Sequence, residues 1–301
     1  MKVRILGTAA GGGAPQWNCA CELCRGARAG DLPSRTQDCL AISGTGQEWY
    51  LLNASPDIRS QLLATPELAP GPGRRDTPLR GVLLATAELD HVLGLVMLRE
   101  GSGLSVWAPS AVLAALATGF GIKGVLDPYG SWAWHEVAAG KAFTLDGGRL
   151  TVTAVPIGAK RPRYAAGVEQ PGPWVVAYRI EDTVTGGVLL YAPCVASWPD
   201  GLDALIAGAD CVLLDGTFSS AEEMTGATGR PASATGQAKM GHLPIGGQDG
   251  SLAALRRHPG IRRLYTHLNN TNPVLDPASA ERAAVEDGGA EIPADGTLLE
   301  L

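Results

Sequence analysis

The chain has 301 residues, 45% of them hydrophobic and 18% charged, which is enough material for one large core or two modest ones. A formal charge of −6 and an isoelectric point near 5.4 exclude a surface built to neutralise nucleic-acid phosphates, and leave room for a small anionic or zwitterionic substrate in a local pocket. With 40 glycines and 21 prolines against 3 phenylalanines, short elements and tight turns are expected, and long helices and coiled coils are excluded.

Lys2 to Leu6 reads as a short buried strand, and the Gly-Thr-Ala-Ala-Gly-Gly-Gly run after it is a loop whose backbone needs unusual dihedrals. This opening offers neither a signal-peptide core nor a spanning helix, so a cytoplasmic protein with no membrane partner is expected. Cys19, Cys21 and Cys24 follow as C-x-C-x-x-C in a glycine-rich loop. Three thiolates this close repel one another unless a soft cation neutralises them, and tetrahedral zinc is the usual solution. The alternative is three unconnected thiols. A structural zinc needs a fourth ligand, for which Asn270, Asn269, Cys39, His242 or a water are the candidates. Cys39, Cys194 and Cys211 read as ordinary buried thiols.

Cys39 to Ser43 and Trp49 to Asn53 are the next strands, joined by the turn-forming Gly44-Thr45-Gly46, and Pro56 to Ala64 has helical spacing. Pro66 to Pro78 is a proline- and glycine-rich surface loop. Arg80 to Ala85 suits a central strand and Asp90 to Glu100 a helix, which leaves TAELDH at a strand's carboxyl end, where α/β proteins place their sites. Strands near Leu150 to Val155, Trp174 to Ile180 and Gly187 to Tyr191, a helix near Leu202 to Ala207, and the strands Cys211 to Leu214 and Arg263 to Thr266 repeat the pattern. A helix from Ser279 to Asp287 closes the list. An α/β fold is expected, an αββα four-layer sandwich forming one domain over residues 1–301, its two halves meeting near residue 160.

Thr86-Ala87-Glu88-Leu89-Asp90-His91 aligns with the metallo-β-lactamase superfamily signature H-x-H-x-D-H, with Thr86 and Glu88 in place of two histidines. The later loop Val155 to Lys160 has no histidine, and Cys194 stands where the bridging aspartate belongs, so one metal pocket of that superfamily is dismantled. Asp90, His91 and His267 remain: one carboxylate and two imidazoles, the ligand set of mononuclear iron(II) oxygenases. Glu88, Asp215 and His242 are candidates for weaker ligands, proton carriers or substrate contacts. Alone, Asp90 would be a helix N-cap and His91 a first-turn residue. His242 fits a structural role and a site role equally, Asp215 fits a supporting position better than direct ligation, and His135 and His258 read as structural.

Taken together, GTAAGGGAPQWNCACELC, RTQDCLAIS, LLNASPDIRSQL, AELDHVLGLVMLREG, YAPC, LLDGTF, MGHLP and HLNNTNPVL resemble the pyrroloquinoline quinone (PQQ) biosynthesis protein B family along nearly the whole chain. Cys39 and the loop from Gly226 to Lys239 fit that pattern loosely. The resemblance implies a metallo-β-lactamase fold, a zinc site at Cys19, Cys21 and Cys24 associated with homodimer formation, and an iron(II) site at Asp90, His91 and His267. It implies a hydroxylase that uses O2 on the tyrosine-derived ring of a crosslinked Glu–Tyr precursor, a small amino-acid-derived substrate. Two other classes compete: a single-metal phosphodiesterase or ester hydrolase, and a non-catalytic carrier of the quinone product.

Overall fold

The computed structural model describes residues 1–224 and 240–301; the loop from Gly226 to Lys239 lies outside them. Its strands run β1 (Lys2–Gly7), β2 (Cys39–Ser43), β3 (Trp49–Leu52), β4 (Leu79–Leu83), β5 (Ser105–Ala108), β6 (Ala133–Glu136), β7 (Ala142–Leu145), β8 (Leu150–Gly158), β9 (Val175–Asp182), β10 (Val188–Ala192), β11 (Cys211–Asp215), β12 (Arg262–Thr266) and β13 (Leu298–Glu300). The chain groups into two compact units.

The first unit comprises Met1–Gly7, Cys39–Val188 and Gly296–Leu301. Seven of its strands form one sheet in the order β13-β1-β2-β3-β4-β5-β6. Antiparallel pairing from β13 to β3 gives way to parallel pairing from β3 to β6. Every residue of β2 and β3 is buried, as continuous apolar runs such as LAI and WYLL require. Strands β7, β8 and β9 make an antiparallel meander in the same unit.

The second unit comprises Thr8–Asp38 and Leu189–Asp295. Strands β10, β11 and β12 run parallel in it, with Leu190 opposite Val212 and Asp215 opposite Thr266. Helices Leu202–Ala207 and Ser251–Leu255 precede β11 and β12, and Ala280–Asp287 follows. Helix α1 (Glu22–Ala29) opens at the cysteine motif, so Cys24 stands within a helix and not in the expected loop.

Two further departures have local causes. Strand β3 stops one residue early because Asn53 takes a left-handed φ of 64°. The expected helix from Asp90 to Glu100 is divided into Leu89–Val92, Gly94–Met97 and a 3-10 turn at Leu98–Glu100. Gly94 donates its N–H to the Ala54 carbonyl, and a Cβ there would lie 2.2 Å from the Ser55 oxygen. Docking against that loop, not helical propensity, sets the path. Strands β5, β6 and β7, four residues each, lack the wholly buried apolar run that marks the equally short β3, so they were not legible. Among the described residues the longest α-helices have eight residues, and no single helix is long and apolar enough to cross a membrane.

Candidate metal centres

In the first unit, the turn after β4 carries Thr86 to His91. Asn53 fixes it from one side: its Oδ1 accepts the Ala85 N–H at 2.9 Å, and the His91 carbonyl accepts the Ala54 N–H at 2.7 Å. His91 and Thr86 are fully buried, whereas Asp90 and Glu88 are partly exposed. Glu88 stands at the N-cap position of Leu89–Val92 without a side-chain capping bond and pairs with the Lys160 ammonium at 3.0 Å, and the Tyr164 hydroxyl donates to the Ala87 carbonyl at 2.6 Å. Glu88 is thus already engaged by a cation. Cys39 lies in this unit, its thiol donating to the Asn53 carbonyl at 3.3 Å.

In the second unit the parallel strand ends bring Asp215, His242 and His267 together, with one ligand atom from each within 4.8 Å of the others. Asp215 closes β11 and is buried; it accepts the Val195 N–H at 2.7 Å, the Thr217 N–H at 3.0 Å and the Thr217 hydroxyl at 2.7 Å. Burial alone would raise its carboxyl, but the His242 and His267 rings and the Thr217 hydroxyl outweigh that and hold it below the usual carboxylate range. Nδ1 of His242 is 2.7 Å from Asp215 Oδ2, and Nδ1 of His267 is 2.8 Å from Thr217 Oγ1.

Thr217 Oγ1 lies 3.1 Å from His242 Nδ1 as well, so the hydroxyl, the carboxylate and both rings share one hydrogen-bond network through the Nδ1 atoms. With Nδ1 of each ring engaged in this way, Nε2 is the nitrogen left to a metal. The rings stack with centroids 5.1 Å apart and planes 24° from parallel. Asp215 therefore contacts the His242 ring directly and the His267 ring through Thr217. His267 sits directly after β12 at φ 57°, a left-handed conformation that costs a non-glycine residue on the order of 1–3 kcal/mol and persists only where its surroundings impose it.

Cys194, expected to be an ordinary buried thiol, instead has its Sγ within 4.8 Å of a His267 ring nitrogen. Its place in YAPC, where a bridging aspartate belongs, was the signal that could have marked it. Asp90 and His91 belong to the first unit and His267 to the second.

The sulfurs of Cys19, Cys21 and Cys24 all lie within 4.8 Å of one another. Cys21 caps α1, its sulfur accepting the Cys24 N–H at 3.5 Å. Burial would raise both Cys19 and Cys21. At Cys19 the Cys21 N–H and the neighbouring thiols outweigh that and hold the pKa below the ordinary value, while burial and the nearby sulfurs push Cys21 up to about 11. Cys19 thus ionises more readily than Cys21, whose charged form burial and the nearby sulfurs oppose; a dication would offset that opposition, and a thiophilic metal fits the donors. Of the four residues considered for a fourth ligand, Asn270 reaches the trio, its Nδ2 lying 3.3 Å from Cys24 Sγ and 4.0 Å from Cys21 Sγ. Oxygen and nitrogen of such an amide exchange by a simple flip, which brings Oδ1 to the same place. His242 is held by Asp215, Cys39 by Asn53, and Asn269 turns its amide toward Thr271 and Met224.

Residues 48–268 match the beta-lactamase superfamily domain. Coenzyme PQQ synthesis protein B of Pseudomonas entomophila strain L48 is 40% identical over 306 aligned residues, covering 100% of both chains. Zn(2+)-bound PqqB from Methylobacterium extorquens, a crystal structure, matches with a TM-score of 0.90 and 39% identity, again over 100% of both chains. A diphosphatase of the PhnP family has a TM-score of 0.70 at 19% identity, covering 100% of this chain and 96% of its own, and shares the fold. The α/β fold of metallo-β-lactamase type expected from the sequence is the fold found. Two full-length likenesses near 40% identity, on a matching superfamily domain, place the chain in the coenzyme PQQ synthesis protein B family.

Proposed function

We propose that this chain serves coenzyme PQQ synthesis as an iron(II)- and O2-dependent hydroxylase acting on the tyrosine-derived ring of a crosslinked Glu–Tyr precursor. Asp90, His91 and His267 are the proposed iron ligands, a carboxylate and two imidazoles that leave positions open for substrate and dioxygen. The reading is carried by one observation: Asp215 and Thr217 engage His242 and His267 through Nδ1, which leaves Nε2 of each ring to a metal, in a chain whose relatives are named for PQQ synthesis. Iron(II), when bound, supplies the one-electron chemistry that lets dioxygen react with an aromatic ring, which zinc lacks. The Asp215 to His242 hydrogen bond suits a proton carrier beside the ring hydroxyl, and Glu88 with Lys160 suits contacts to the charged groups of an amino-acid-derived substrate. Cys19, Cys21 and Cys24 are proposed to hold a structural zinc with Asn270 as fourth ligand, and the working form to be a cytoplasmic homodimer.

The Asp215 to His242 pair also favours a second reading, a single-metal hydrolase in which metal-bound water attacks a phosphodiester or ester and His242 moves the proton. Anaerobic reconstitution with iron(II), zinc(II) or no metal separates the classes. Oxygen uptake with a tyrosine-like substrate in the iron sample alone is expected. Turnover of a chromogenic phosphodiester would transfer the assignment to the hydrolase, and metal-independent binding of a quinone would make the chain a carrier.

A further inference from the structure

Six consecutive residues of the second unit, His267 to Asn272, join its two metal-binding clusters. At one end, His267 takes its orientation from Thr217. The segment returns to the same turn twice more: the Asn269 N–H donates to the Thr217 carbonyl at 3.0 Å, and the Asn272 amide donates to the Gly216 carbonyl at 2.8 Å. Between these two anchors, Asn270 faces the cysteines with both of its polar parts. Its side-chain amide lies 3.3 Å from Cys24 Sγ, and its carbonyl lies 3.8 Å from the Cys21 sulfur.

The chemistry of these contacts changes with the state of the thiols. A protonated Cys21 donates to the Asn270 carbonyl; a metal-bound thiolate has no proton to donate. The amide N–H to Cys24 contact changes in the opposite sense, because an ionised acceptor roughly doubles the strength of a hydrogen bond. If the amide flips, its oxygen becomes a ligand, and the dependence on the metal is stronger still. Metal on the cysteines thus gives up the Cys21 contact to the main chain and strengthens the hold on the Asn270 side chain, three residues from a histidine whose backbone stands at φ 57°.

We infer that the cysteine cluster is a positioning element for His267, acting through Asn270, so that metal on the thiols raises the affinity of the histidine site for its own metal. The inference rests on the proposal that His267 is a metal ligand, and the experiment tests the two separately. Wild-type protein and the variants His267→Ala, Cys19→Ser and Asn270→Ala are loaded with zinc, counted for bound metal, and titrated with cobalt(II) against a chromophoric chelator under anaerobic conditions. Cobalt in a nitrogen and oxygen site is read by its ligand-field bands, apart from the charge-transfer absorption of a thiolate site.

His267→Ala is expected to lose the histidine-site cobalt altogether. Cys19→Ser, which removes a partly exposed ligand, and Asn270→Ala, which spares all three thiols, are each expected to weaken cobalt at the histidine site about tenfold while retaining the far-ultraviolet circular dichroism of the parent. Wild-type cobalt affinity in folded Cys19→Ser or in Asn270→Ala overturns the inference while leaving the ligand assignment intact. Cobalt retained by His267→Ala overturns the ligand assignment itself. Should Cys19→Ser fail to fold, Asn270→Ala decides alone.

Discussion

The turn after β4 and the turn after β12 each carry an imidazole beyond a parallel strand, and the backbone is held differently in the two. Around His91 main chain docks on main chain: the His91 carbonyl receives the Ala54 N–H, and Gly94 lets the following helix lie against the Ala54–Ser55 backbone. His267 is set by side chains, with Thr217 and Asp215 fixing its ring and its own backbone held in a left-handed conformation. A main-chain fixture depends on close packing and tolerates little added volume. A side-chain fixture can be dismantled one hydrogen bond at a time with the fold intact.

The largest effect that would break this comparison is expected from Gly94→Ala. The added methyl would meet the Ser55 carbonyl at 2.2 Å, which cannot yield as a flexible side chain could, so a loss of about 3 kcal/mol is expected in denaturant unfolding. A variant as stable as its parent would show that the turn after β4 is not held by backbone docking. Next in size, Thr217→Val keeps the shape and removes the hydroxyl that links Asp215 to His267. Metal affinity at the histidine site should fall about 10- to 100-fold by chelator competition, with about 1–3 kcal/mol of stability lost through the undersatisfied Asp215. Unchanged affinity would remove Thr217 from the account of how the ring is aimed.

The smallest effect sharpens the comparison with a third kind of fixture, one made of charge. Asp182 in the first unit is paired with the Met1 ammonium at 2.8 Å and with Arg149 at 3.2 Å. Burial works against its ionised form, but Arg149, the ammonium and the Val184 N–H prevail and hold its carboxyl well below the usual range. A folded-state pKa lower than the unfolded one gives stability that is present at neutral pH and lost as pH falls below the ordinary carboxylate value toward the folded one. Asp182→Asn should cost about 1–2 kcal/mol at pH 7, and the difference from the parent should shrink steadily in acid. A difference independent of pH would mean that shape, not charge, matters at this position.

The same contrast explains how much could be read from the sequence. The turn after β4 is local: strand, T-A-E-L-D-H and helix are contiguous, so the spacing alone placed Asp90 and His91 at a strand end. The cysteine trio was equally legible, because its three sulfurs fall within six residues. Of the companions of His267, Asp215 and His242 were named as candidates, and Thr217 was not. Thr217 is 50 positions away in the chain and is a residue type that announces no site, while Cys194, farther still, was marked only by its place in YAPC. Parallel strand ends bring such residues together through crossovers whose register no single segment encodes. Lys160 was missed as the partner of Glu88 for a related reason: it lies on a distant loop, and a lysine there looks like any solvated surface charge.

The left-handed backbone at position 267 has a consequence for directed evolution of this chain. Glycine and asparagine occupy that region of backbone space more readily than histidine does. A library selected for heat resistance alone should therefore drift toward one of them there, discarding an imidazole for a gain in folding free energy. Any such campaign has to screen for turnover or bound metal in the same round.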